Sequence, residues 1–137
     1  YCHRYDRGSS GEIPEVLCLK TILQVGKRVD NTCHKRTRLP VDIVPINHPY
    51  NFAHDGNFRV AAYFRGEPLK NHDVTVWHAY QGKVTAHELQ TDDDGECKFF
   101  FHPAGRWMIS VDHLAFAPAE ADSVLTNFRG SLTFGFF

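Results

Sequence analysis

The sequence predicts an all-β fold: an Ig-like or transthyretin-like antiparallel β-sandwich of seven or eight strands, preceded by an N-terminal arm. Two observations carry this expectation. Short apolar runs recur along the chain with a period of two, the spacing of a half-buried strand. Turn residues separate these runs, and no segment has a convincing helical period. Many short strands punctuated by turns read as a sandwich or barrel.

The elements follow in order. Residues 1–11 are polar and glycine-containing and read as an arm or loop. Residues 15–25 are apolar enough for a strand through Val16, Leu17, Leu19, Ile22, Leu23 and Val25, although their mixed period also fits a short helix. Residues 26–40 are rich in Lys, Arg, Asn and Thr and read as a connection. Val41, Ile43 and Ile46 form a short strand closed by Asn47-His48-Pro49. Phe58, Val60, Ala62 and Phe64 alternate with Arg59, Ala61, Tyr63 and Arg65, and Gly66-Glu67-Pro68 ends that strand. Residues 73–80 and 84–91 make a hairpin around Gln81-Gly82-Lys83. Asp92-Asp93-Asp94-Gly95 is a turn, and residues 97–101 are the next strand. Trp107, Ile109, Val111 and His113 share one face of a further strand, and Leu132, Phe134 and Phe136 share one face of the last. The composition shifts near Leu39. The predicted organisation is therefore an arm with a first strand over residues 1–38 and the sandwich proper over residues 39–137.

Composition excludes several classes of function. A chain of 137 residues fits one domain with a real core. The net charge of −1, from 15 basic and 16 acidic side chains, leaves no electrostatic footprint for nucleic acid. No apolar run approaches the roughly 18 residues that span a bilayer, so no membrane span is expected. The start at Tyr1 rather than Met suits a processed, exported chain. Cys2, Cys18, Cys33 and Cys97 are an even set of disulfide candidates for an oxidising compartment, with three pairings open; buried thiols are the other reading. The expected location is periplasmic or extracellular.

Nine histidines in this length point toward a transition metal, because neutral imidazole binds Ni, Co, Cu and Zn. The best local case is the hairpin. A two-residue type II′ turn at Gly82-Lys83 pairs Gln81 with Val84 and sets His78 directly opposite His87, with Cβ atoms about 5 Å apart. A three-residue loop sets Trp77 opposite His87 instead. His48 and His54 flank Pro49-Tyr50 and are further metal candidates, while His102 and His113 bracket the Trp107 strand. Loops at one end of a sandwich can converge on a site; the competing reading is that these histidines face water.

Other chemistry has less behind it. Asp92, Asp93 and Asp94 resemble a hard-cation loop, but the distal bidentate Glu of an EF-hand is absent, and a turn is the simpler reading. Cys2-His3 and Cys33-His34 match only the end of a haem c attachment motif, and Asp30 stands where its first Cys is required. There is no Gly-x-Ser-x-Gly elbow, no His-Glu-x-x-His and no phosphate-cradling glycine loop, so no enzyme is expected. The apolar end Phe134-Gly135-Phe136-Phe137 must enter a sheet. It either completes its own sandwich or, with Val16 and Ile22 of the arm, pairs with another subunit by strand addition.

The stretch from Leu39 to His113 resembles the NikM-like periplasmic domains associated with nickel and cobalt uptake. The residues that carry the resemblance begin with Val41-Asp42-Ile43-Val44-Pro45-Ile46-Asn47-His48-Pro49-Tyr50 and Phe64-Arg65-Gly66-Glu67-Pro68-Leu69. Val74-Thr75-Val76-Trp77, Thr91-Asp92-Asp93-Asp94-Gly95 and Gly105-Arg106-Trp107-Met108-Ile109 continue it, and Gly130-Ser131-Leu132-Thr133-Phe134 looks like the last strand. The likeness covers roughly the last hundred residues. It implies a transthyretin-like sandwich in the periplasm, a bound Ni, Co or Cu ion, and metal-transport components as partners. The expected function is thus a non-enzymatic exported domain that binds a transition metal. The alternative is a structural subunit of an extracellular fibre, formed by strand exchange through the terminal strands.

Overall fold

The computed structural model describes residues 2–5, 13–51, 56–116 and 125–136. It is a two-sheet sandwich. In chain order the strands are β1 (Cys2–Tyr5), β2 (Glu15–Thr21), β3 (Val41–Pro45), β4 (Asn57–Phe64), β5 (Glu67–Pro68), β6 (Asp73–Tyr80), β7 (Lys83–Gln90), β8 (Glu96–Phe100), β9 (Arg106–Phe116) and β10 (Leu125–Gly135), with a 3₁₀ turn at Thr32–His34. The large sheet runs β1-β2-β10-β9-β6-β7, and the small sheet sets β3 on one side of β4 with β5 and β8 on the other. The expected sandwich is present. The arm strand β1 and the two-residue β5 add to the strands expected.

Alternation along the central strands builds the core. Trp107, Ile109 and Val111 of β9 and Phe128, Leu132 and Phe134 of β10 turn inward against Phe58 and Val60 of β4. Phe58 is the hub, with ring centroids 5.5 Å from Phe99, 5.0 Å from Phe101 and 5.3 Å from Phe134. Burying one such aromatic contributes roughly 1.5–3 kcal/mol relative to leaving it exposed. Strand β3 is buried at every position, which explains why Val41-Asp42-Ile43-Val44-Pro45 shows no clean alternation.

The N-terminal strand belongs to the sandwich. β2 pairs in parallel with β10, from Glu15 opposite Asn127 to Thr21 opposite Thr133. Val16 and Cys18 lie in the core. A boundary at residue 38 therefore cuts through one sheet. The strand stops at Thr21, short of the Val25 expected, and Leu23 and Val25 are exposed.

The C-terminal strand closes its own domain. β10 is flanked by β2 and β9, so both of its edges are used. Val16 and Phe134 are buried and Ile22 and Phe136 pack against the core. These four assembly candidates are spent inside the chain; Phe137 lies outside the described residues.

Candidate functional site

The β6–β7 ribbon forms one edge of the large sheet. Its turn is Gln81-Gly82, both at positive φ (50° and 76°), with Tyr80 paired to Lys83. Two central residues at positive φ make a type I′ turn, whose twist suits a two-residue hairpin. Arg65-Gly66 turns β4 into β5 in the same way, at 49° and 84°. The turn is thus one residue earlier than the Gly82-Lys83 expected, and the register moves with it. His78 pairs with Thr85, and His87 pairs with Val76. The direct His78–His87 pairing does not form, nor does Trp77–His87. The two histidines remain on one face, as diagonal neighbours.

That face opens on a cleft of about 610 Å³ between the ribbon and β8. Val76, Leu89, Phe99, Phe100 and Trp107 form its apolar walls, and His78, His87 and His102 are the imidazoles on it. The volume lies in the range of small-ligand sites. His102 and Trp107 had only a loose sequence signal, since nothing local places the end of β8 beside the β6–β7 ribbon.

His78 is held on two sides. Its ring stacks on Trp107 at 3.8 Å between centroids. Its Nε2–H donates to the Ala104 carbonyl at 2.7 Å, which leaves the lone pair on Nδ1. Trp107 is fixed in turn, because its Nε1–H donates to the His102 carbonyl at 3.1 Å. Gly105 lets this loop press on β6. It sits at φ +73°, and a Cβ there would stand 2.2 Å from the Ala79 carbonyl oxygen. An imidazole whose other nitrogen is bonded to a carbonyl is the arrangement that metal-ligating histidines adopt.

The remaining candidates are dispersed. His48 lies beside His34, with ring centroids 5.9 Å apart, and is not on the cleft. Its Nδ1 accepts the Tyr50 N–H at 3.1 Å. That nitrogen is thereby engaged by the backbone, apart from the cleft histidines. Burial, then the neighbouring His34, lowers its pKa. His54 lies outside the described residues. His113 packs against Phe64 and His72 instead of joining His102, and burial followed by His72 and Arg65 lowers its pKa.

Among the described residues, the donors gathered as a group of three within 4.8 Å are Asp92, Asp94 and Glu96. They are explained by the turn. The Asp92 carboxylate accepts the N–H groups of Glu96 and Asp94 at 3.0 and 2.9 Å, which lowers its pKa, and Glu96 pairs with Arg59. No disulfide is present among the described residues. Burial pushes the Cys97 thiol up to about 11 and raises that of Cys33, so neither is an activated nucleophile. No described helix is long and apolar enough to cross a membrane.

The fold and its cleft define an all-β sandwich domain with an open, histidine-bearing edge. Residues 6–115 match a family described as a domain of unknown function, DUF4198, and the chain belongs to that family. The match begins well before Leu39, in keeping with the place of β2 in the sandwich. Comparison with curated proteins and with solved structures returned no match.

Proposed function

We propose that this chain is a non-enzymatic, exported domain that binds a divalent transition metal ion in the β7–β8 cleft. The resemblance to NikM-like domains supports the periplasm as its location and metal-transport components as its partners. One observation carries the reading: three imidazoles line one cleft, and His78 is already oriented by Trp107 and the Ala104 carbonyl with Nδ1 open. His78 leads, and His87 and His102 supply further nitrogens after side-chain rotation. The donor set suits Ni, Co, Cu(II) or Zn, which imidazole binds well.

Calorimetric titration of the metal-stripped protein with Ni(II), Co(II), Cu(II) and Zn(II) tests it. Binding tighter than about 10 μM by at least one ion, lost in His78→Ala, is the expected result. No binding at that level by any of the four ions overturns it. The fibre reading has weaker support, because the strands that would be exchanged are internal to the sheet.

A further inference from the structure

The strand register selects one pair among the four cysteines. Cys2 and Cys18 are direct partners in the antiparallel β1–β2 ladder. Opposed residues in such a ladder share a face, with Cα atoms about 4.5–5.5 Å apart. A disulfide spans Cα separations of about 4.4–6.8 Å. Cys97 is kept away from the others by the small sheet. At Val60 it occupies one edge of β4 while Pro45 of β3 occupies the other. Cys33 lies on the β3 side, since its neighbour His34 bonds the Pro45 carbonyl at 2.8 Å. Cys18 lies on that side too. It stands in the row Cys18–Gly130–Val111, where Gly130 packs against Val41 of β3.

We infer that Cys2 and Cys18 join in a cross-strand disulfide when the protein folds in the presence of a disulfide oxidant, leaving Cys33 and Cys97 as thiols. One cysteine thiolate attacks the oxidant's disulfide and expels one of its sulfurs as a thiol. The second thiolate then attacks the mixed disulfide and expels the other. The two cysteines lose two protons and two electrons, and the oxidant's S–S bond is reduced to two thiols. Cys18 is buried, so the exchange occurs while the sheet edge is open, during folding or fraying of β1. The bond holds β1 on the outer edge of β2. That covers the β2 edge, which would otherwise be open to strand addition by another chain.

The test is peptide mapping of the full chain, independent of metal binding. The protein is refolded in a glutathione buffer poised at about −180 to −210 mV, quenched in acid, alkylated without reduction and digested with trypsin. The expected product is the Tyr1–Arg4 peptide joined to the Gly8–Lys20 peptide in most molecules, with Cys33 and Cys97 alkylated. Cys2→Ser must abolish the joined peptide while retaining the β-sheet circular dichroism of the parent. Alkylation of both Cys2 and Cys18 in most molecules overturns the inference, as does a Cys18 linkage to Cys33 or Cys97.

Discussion

The imidazole of His78 lies flat on the indole of Trp107, with planes 9° from parallel and centroids 3.8 Å apart. Any ion bound at His78 therefore sits within a few ångströms of an indole. Cu(II) and Ni(II) quench indole fluorescence at such range. Titration with either ion is expected to quench Trp107 emission in step with calorimetric binding. Trp77→Phe should retain this quenching, because Trp77 is on the opposite face of β6 and bonds Ser110. His78→Ala should weaken binding at least tenfold, about 1.4 kcal/mol, and His87→Ala or His102→Ala should weaken it less. Equal loss in all three variants would mean that no single imidazole leads.

Acid should destabilise the fold through two histidines outside the cleft. His48 and His113 both have pKa values lowered from 6.5, first by burial and then by neighbouring cationic groups. The unfolded chain binds protons at these sites more readily than the native state. Stability is then complete above pH 6.5 and is lost as pH falls from that value through the lowered native pKa. Thermal melts at pH 7.5 and 5.5 are expected to show a lower Tm in acid. His113→Phe should reduce that difference, because one of the two proton-linked sites is gone. A pH-independent Tm would contradict the assignment.

Lys20 and Asp42 form an ion pair between the sheets, with side chains only 13% and 4% exposed. The Lys20 ammonium also donates to the Ile43 carbonyl at 3.1 Å, and Asp42 accepts the Thr37 N–H at 2.6 Å. Removing one partner of a buried pair leaves an uncompensated charge and costs about 3–5 kcal/mol. Lys20→Met is expected to fall in that range by chemical denaturation. Lys20→Met combined with Asp42→Leu should recover part of the loss, since the stranded carboxylate is gone. A loss below about 1 kcal/mol for the single variant would mean that solvent reaches the pair.

This pair also shows what could be read from the sequence. The alternation of Phe58 to Phe64 and of Trp107 to His113 reveals the strands directly, because Phe58, Val60 and Ala62 and then Trp107, Ile109 and Val111 are buried at every second position. The segment before Leu39 looked separable because its partner is far away in sequence: β2 pairs with β10, and Lys20 meets Asp42 across the sandwich. Nothing local announces a parallel pairing of that span. The cleft was half legible. His78 and His87 do share a face, but their register depended on whether Gln81 would accept a positive φ, which propensity disfavours for a non-glycine residue. His102 reaches the cleft only through the packing of the loop after β8. Residue type alone makes His48 a ligand candidate, whereas its hydrogen bond from the Tyr50 N–H depends on the fold.

A close approach of the two sheets gives the last prediction. Gly130 lies on the inner face of β10, where a Cβ would fall 2.3 Å from Val41 Cγ1 and 2.8 Å from its Cβ. Val41 is 1% exposed, so it cannot turn out into solvent without leaving the core. Gly130→Ala should therefore destabilise by overpacking, about 1–3 kcal/mol, even though alanine favours a strand at least as well as glycine. The strain is specific to one neighbour. Val41→Ala removes the Cγ1 methyl, the nearer of the two close atoms, and by itself leaves a cavity. In the double variant the new methyl occupies that space, so the pair should be more stable than the sum of the two single losses by at least 0.5 kcal/mol. Simple additivity in denaturant titrations would mean that the sheets are set apart by something other than this contact.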